Sequence, residues 1–506
     1  MSPKKIFSEG KRFFNVSSVF LYALVISVLI SIHYNSYKVG SDTAIFNNIF
    51  YNSLHGRIGY SSIEGINHFS IHFSPLLLSF LPVYLIAGKW TLGIITFISF
   101  LFSASGIFLI SKKIFKENKI SFLIGLTFLL YAPVAHNIVW DFHENIIALP
   151  ILIFSFYLLV LDRTLQSLLL FSLAFLVKEE MFLVGIFFGL YIFLFRNKKE
   201  GLFFSLISIV GFVSVTKVIM PLFSVSGGHP LWGRYSHLGA NYTEVVLGFF
   251  KNPQLYLFPP FYVRKLLSLL AFFIPLLFTP LIKISILFTP LITIIYSYIS
   301  NVPHLDYADH NAISIVPYVF IAYIFSVKYI DDRLKNRTIT KNILIIIFII
   351  NCIFTAFSFY MRGEFERLKP LSNKDSHIEA ISLIPKGKSV FTNYVSSFFV
   401  SSRGEIFTGV GGSSTEQITQ EYILINFRYV YYFKDWVPDL QKLVFDPNYK
   451  PIFFKEDVLL LKRRKHLIDE SSQIYEILDG YDVTKYKNYN QYNIVPTWIR
   501  WLATKE

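Results

Sequence analysis

The ionisable side chains of this 506-residue chain gather in short knots between long apolar runs. The densest is Asp141-Phe-His-Glu, which puts Asp141, His143 and Glu144 between two apolar stretches. Lys178, Glu179 and Glu180 form a second knot, a cation beside an acid pair. Ionisable groups this close to membrane depth point to function by default; a polar turn and a local ion pair are the alternatives. Asp42 follows the first apolar run by a few residues. It suits either a general base that meets a substrate held in lipid or the N-cap of the helix that follows. His68 and His72 stand four apart, so on a helix they would share a face as paired metal ligands do. No Glu lies between them in the metalloprotease arrangement, and two interfacial imidazoles or two donors to a phosphate are the other readings. Arg234 lies in a long polar loop with Tyr235 and His237. A guanidinium facing acids and imidazoles suits a phosphate; solvated loop charge is the plain alternative. His304, Asp306, Asp309 and His310 close the series, ahead of Pro317.

The elements that carry these knots must be membrane helices. Hydrophobic residues make up 53% of the chain and charged residues 16%, against about 25% charged in soluble domains. That excludes a soluble enzyme and a disordered chain. The net charge of +14 comes from Lys and Arg clusters between apolar runs, the pattern of the positive-inside rule, and no nucleic-acid motif accompanies it. The single cysteine, Cys352, forbids an intramolecular disulfide. Basic residues ahead of the run 16–33, with no cleavage pattern after it, indicate an uncleaved first helix.

Hydropathy gives spans near 16–33, 91–110, 120–138, 146–161, 165–177, 181–195, 201–220, 266–280, 284–300, 311–327 and 342–359, about eleven in all. The apolar stretch 75–88, broken by Pro75 and Pro82, decides the sidedness of everything after it. If it does not cross, the Lys and Arg clusters at 112–119, 196–199 and 328–341 join the N-terminus inside, the arrangement charge bias favours. The polar segments 34–73, 140–145, 178–180, 221–265 and 304–310 then share the outer face. This predicts a membrane domain over 1–361 with a large first outer loop, 34–90. An extracytoplasmic α/β domain follows over 362–506, with strands at 388–393, 405–408, 422–427 and 451–461. Gly409–412 reads as a loop, and the Trp-rich stretch 498–502 either rests on the membrane interface or packs as a terminal helix.

The motifs, in this order, resemble the polytopic membrane proteins grouped as domain of unknown function 2079, and through them the GT-C superfamily of membrane glycosyltransferases. Ser41-Asp-Thr-Ala-Ile-Phe-Asn-Asn, His68 and His72 with Ser74-Pro75, Trp140-Asp-Phe-His-Glu, Lys178-Glu-Glu, Tyr235-Ser-His-Leu-Gly and His310 carry the likeness. His310 is followed by Asn where Tyr is expected. The resemblance implies a GT-C-like fold at the cell membrane, with the N-terminus cytoplasmic. It implies a polyprenyl-phosphate-linked sugar as donor and Asp42 as the catalytic base, since GT-C enzymes carry an acid soon after the first span. His68, His72, Asp141, His143, Glu144, Lys178, Glu179, Arg234 and His310 would bind substrate, with the acceptor unassigned. A divalent metal held by His68 and His72 stays open, because no second acid makes an Asp-x-Asp pattern. A transporter and a non-catalytic scaffold displaying the tail domain are the rival classes; scattered acids would favour the scaffold and a two-sided central path the transporter.

Overall fold

The computed structural model describes residues 3–36, 38–224, 230–408, 418–428 and 446–464. Gly409–412 and 498–502 lie outside them. The molecule is a polytopic helical membrane domain followed by a β-rich C-terminal domain. Among the described residues, four helical segments are long and apolar enough to cross a membrane: Ser17–Asn35, Pro75–Phe115, Lys198–Phe223 and Arg337–Arg362. Two bent pairs, Asn118–Leu129 with Ala132–Val139 (56°) and Tyr262–Leu276 with Thr279–Leu287 (95°), raise the count to six. The expected number of about eleven is therefore corrected to between four and six by length and composition. Hydropathy overcounts for three reasons. The run 311–327 becomes the helix Val316–Leu334, whose last two turns carry Lys328, Asp331, Asp332 and Arg333. Asn145–Val160, Thr164–Leu176 and Glu180–Phe195 are apolar but short; 16 residues rise only about 24 Å, less than a hydrocarbon core of about 30 Å. The run 284–300 is also split into the short helices Ile284–Leu287 and Leu291–Ile299.

The proline-broken stretch is continuous with the helix that follows it. Pro75–Phe80, Leu81–Ala87 and Gly88–Trp90 lead into Thr91–Phe115, and the whole counts as one apolar run of 41 residues. Nor is 221–265 an open polar loop. It folds as a 3-10 turn at Pro230–Tyr235, an amphipathic helix at Tyr242–Lys251 and a short helix at Pro253–Leu257.

Small residues hold the helices nearest the site together. Glu180–Phe195 packs on Lys198–Ser214 so closely that a Cβ on Gly201 would sit 2.3 Å from the Phe193 backbone nitrogen, and one on Gly189 2.4 Å from Ser205 Oγ. Between lipid tails there is little hydrophobic drive for helices to associate, so close van der Waals approach must supply it. Gly201→Leu should split this pair. We expect a lower melting temperature in detergent together with loss of ligand binding, because both helices wall the site described below; thermal melting with and without ligand checks this.

The C-terminal domain is a mixed sheet. With the first-loop hairpin numbered β1 (Tyr60–Ser61) and β2 (Ile66–Asn67), its strands are β3 (Val390–Thr392), β4 (Ile406–Thr408), β5 (Tyr422–Asn426), β6 (Tyr449–Lys455) and β7 (Val458–Arg463). The order is β4-β3-β5-β7-β6, parallel across the first three and antiparallel at β5–β7 and β7–β6. The single strand expected at 451–461 is a hairpin. Its two-residue turn, Glu456-Asp457, takes left-handed φ angles of 45° and 69°, the geometry that matches strand twist. Without Gly or Asn there, the turn leaves little trace in sequence. Buried amides tie this domain to the helix Ser41–Leu54. Asn47 donates to Ser401 Oγ at 2.7 Å, Asn48 to the Arg403 carbonyl at 2.7 Å, and the Ile406 N–H to Ser62 Oγ at 3.0 Å.

Candidate functional site

The site assembles where the first outer loop meets three later segments. Gly40 N–H donates to Asp141 Oδ1 at 2.8 Å, and Phe142 N–H to Thr43 Oγ1 at 2.9 Å. These two bonds zip the 140–144 turn onto the start of the helix Ser41–Leu54. They set His143 Nε2 3.2 Å from Asp42 Oδ2. The N-cap of that helix is Gly40, with no side-chain cap bond, so Asp42 faces an imidazole and does not cap. Asp141, expected to bind substrate, is buried and accepts from Gly40.

Next to this pair lies a run of partnered charges. Lys178 Nζ sits 3.1 Å from Glu144 Oε1, with both side chains almost fully buried. Glu179 accepts from His72 Nδ1 and from the Phe73 N–H, each at 2.9 Å. Glu180 accepts from Asn145 (3.0 Å), Ser314 (3.1 Å) and the Tyr296 hydroxyl (2.6 Å). From the late loop, Asp309 caps the 3-10 turn His310–Ser314 by accepting from the Asn311 N–H. The same carboxylate lies 2.7 Å from His310 Nδ1. The His310 ring stacks on His143, centroids 3.6 Å apart and planes 14° apart. Asp42, His143, His310 and Asp309 thus form one continuous stack from three segments remote in sequence.

A cavity of about 270 Å³ opens beside this stack. His72, Lys178, Glu179, Glu180, Arg234, Tyr235, Tyr296, His304 and His310 give it polar walls; Leu183, Phe212, Val245 and Ile299 give it an apolar flank. Of the residues expected to bind substrate, His72, Lys178, Glu179, Arg234 and His310 line it. Asp42, His143 and Glu144 stand one layer back, reaching it through His310 and Lys178. His68 is turned away to Glu64, 3.0 Å distant. The two imidazoles read as paired ligands thus serve different carboxylates. Among the described residues no three His, Cys, Asp or Glu side chains form a group that could hold a metal ion. Asp306 belongs elsewhere, between Arg264 and Arg362.

Charge is unevenly shared around the cavity. Burial pushes the Glu144 carboxyl up, but the Lys178 ammonium and the imidazoles of His72, His68 and His143 outweigh it and hold it well below the usual carboxylate range. Burial likewise opposes ionisation of Glu179, yet His72 and Lys178 bring it down to about 2. Its stabilising contribution is therefore complete at neutral pH and lost as pH falls from 4.5 toward 2. Lys178 is pulled down by burial and raised above its ordinary value by Glu144, Glu180 and Glu179. Arg234 differs. Among the described residues it has no ion-pair partner, and burial lowers its pKa against the weaker pull of Tyr235, Asp309 and Glu180. Across from it, burial and Arg234 bring His304 down to about 4, so it is neutral at physiological pH. Among the described residues its Nε2 has no hydrogen-bond partner. The Arg234–His304 end is therefore where an anion would be held.

The family model described as "predicted membrane protein (DUF2079)" matches residues 30–460. The chain belongs to the DUF2079 family. No curated protein matches it in sequence. In fold, this DUF2079 protein is similar to ArnT from Cupriavidus metallidurans, in the crystal structure bound to undecaprenyl phosphate (TM-score 0.53, 11% identity) and in the apo state (0.53, 9% identity). Each likeness covers 90% of this chain and 99% of that chain. The architecture is GT-C-like.

Sequence reading missed Tyr296, Asn145 and Glu64. Tyr296 sits in an apolar run and Asn145 opens a helix, so neither stands out until Glu180 is placed between them. Glu64 precedes His68 by four residues, and that spacing was the available signal.

Proposed function

We propose that this protein transfers a sugar from a polyprenyl-phosphate donor to an acceptor at the extracytoplasmic face of the cell membrane. The N-terminus is then cytoplasmic and the C-terminal domain extracytoplasmic. The observation that carries the reading is the linkage of the first-loop acid, through His143 and His310, to a cavity whose Arg234 has no carboxylate ion-pair partner among the described residues. A phosphate completes such a guanidinium, and the fixed fork gives geometry as well as charge. The apolar flank of Leu183, Phe212 and Val245 suits a hydrocarbon chain next to that phosphate. The fold likeness to a protein crystallised with undecaprenyl phosphate agrees with a lipid phosphate as ligand.

In this scheme Asp42 accepts the acceptor hydroxyl proton, and the oxygen displaces the lipid phosphate from the anomeric carbon with inversion. The proton leaves on Asp42, and the electron pair of the broken bond leaves on phosphate. His143 holds the carboxylate in place. Arg234, His72 and Lys178 face the departing charge, an electrostatic role that needs preformed donors. The Asp42 carboxyl is pushed up by burial and brought below its ordinary value by His143 and His310, so it is ionised and ready at neutral pH. The clustering of five segments on one cavity argues against a scaffold with scattered acids.

The test is transfer from polyprenyl-phosphate sugars by purified protein in lipid. Arg234→Met should weaken donor affinity by about tenfold to a hundredfold, the worth of a charge-assisted hydrogen bond, while leaving the melting temperature within a few degrees. Unchanged affinity would remove Arg234 from the donor site.

A further inference from the structure

His310 is the one member of the four-residue stack that lines the cavity. Asp309 fixes its ring through Nδ1 at 2.7 Å and is itself fixed by the Asn311 N–H at 3.0 Å and side-chain amide at 3.1 Å. With Nδ1 committed to a carboxylate, Nε2 is the nitrogen left for other partners. The ring face is covered by His143, which is tied to Asp42. Two imidazoles 3.6 Å apart resist double protonation, yet each already has a carboxylate beside it, so one added negative charge nearby would tip the balance.

We infer that His310 is the charge partner of the leaving phosphate, with Asp309 as its positioning residue, and that the stack holds one more proton when a phosphate dianion fills the cavity. This rests on the donor reading above and deepens it. A phosphodiester donor carries one negative charge and the released monoester carries two. The acceptor proton enters the stack at Asp42 as the glycosidic oxygen bond forms and the sugar–phosphate bond breaks. The stack gains one positive charge while the phosphate gains one negative charge, so the site stays balanced throughout.

The surroundings fit a His310 that is neutral at rest. Burial, His143 and Lys178 lower its pKa against the pull of Asp309. His143 is lowered by burial but raised overall by Asp42 and Glu144. Across the cavity Arg234 and His304 add no negative charge, and Glu180 is engaged by three donors. An anion in the cavity is therefore what makes a second imidazolium favourable.

The experiment is calorimetric binding of polyprenyl monophosphate to the full chain in lipid, in buffers of different ionisation enthalpy, at about pH 8. A phosphate monoester with a second pKa of about 6 is already a dianion there. We expect uptake of about one proton per ligand bound in the wild type. His310→Gln should take up close to none and bind about tenfold more weakly, while Asp309→Asn falls between. Tight binding without proton uptake, or the same uptake in His310→Gln, overturns the inference and leaves the donor reading intact. No binding anywhere from about pH 6 to 8 overturns both. His310→Gln should also lower kcat more than it raises KM; a change confined to KM would count against a role in the leaving step.

Discussion

Asp42→Asn is expected to reduce sugar transfer by about 10²–10⁴-fold, the usual contribution of a positioned general base. The amide keeps the shape of the side chain and can still meet His143, but it cannot take a proton. Folding should survive. The side chain is 38% exposed and its recorded ion-pair partner is His143 at 3.2 Å, while the helix start is held by Gly40 and Thr43. Wild-type yield, melting temperature and donor affinity should therefore accompany the loss of turnover. Asp42→Asn with turnover near wild type would remove Asp42 from the chemistry, whatever its effect on stability.

Lys178→Met should have the largest effect on stability. It leaves the Glu144 carboxylate buried with its main counter-charge gone, since the partners are 3% and 1% exposed. Removing one member of a buried ion pair destabilises by about 3–5 kcal/mol. Glu144→Gln alone strands the Lys178 ammonium beside Glu179 and Glu180, so it should be somewhat milder. The double variant Lys178→Met with Glu144→Gln should recover much of the loss, because no uncompensated charge remains and the two changes are coupled. Chemical denaturation of the four proteins in one detergent provides the cycle. If the single and double variants were additive, the pair would not be a functional unit, and its burial would need another reason.

Much of this site can be read in the sequence, because the charges stand at the ends of apolar runs. Asp42, His143, Lys178, Glu179 and His310 each lie at such an end, and sidedness alone predicts that they meet. The proline-broken stretch joins the helix after it in one apolar run of 41 residues, and Asp42 lies 3.2 Å from His143. What hydropathy does not convey is helix length against membrane thickness. Three runs counted as spans are short apolar helices, and 284–300 breaks in the middle. Nor does it convey which charges are consumed by neighbours. His68 and His72 look like a pair until Glu64 and Glu179 claim them separately. Arg234 looks like loop charge until the turn Pro230–Tyr235 brings it to the cavity.

The C-terminal domain shows the same division. Its strands were visible as short apolar runs with glycine between them, but the β6–β7 hairpin turns on Glu456 and Asp457, which carry no strong turn signal. Its attachment to the first-loop helix depends on Asn47 and Asn48, amides that would pass for ordinary helix polarity. That attachment holds the Ser41–Leu54 helix, and with it Asp42, alongside the bonds from the 140–144 turn.

The most direct measurement is an electron cryo-microscopy structure of the full-length protein in lipid with polyprenyl phosphate added. The phosphate should lie within hydrogen-bond distance of Arg234 and His304, beside His310, with the chain leaving past Val245 and Phe212. A phosphate bound on another surface, with the Arg234 end of the cavity filled only by water, would contradict it.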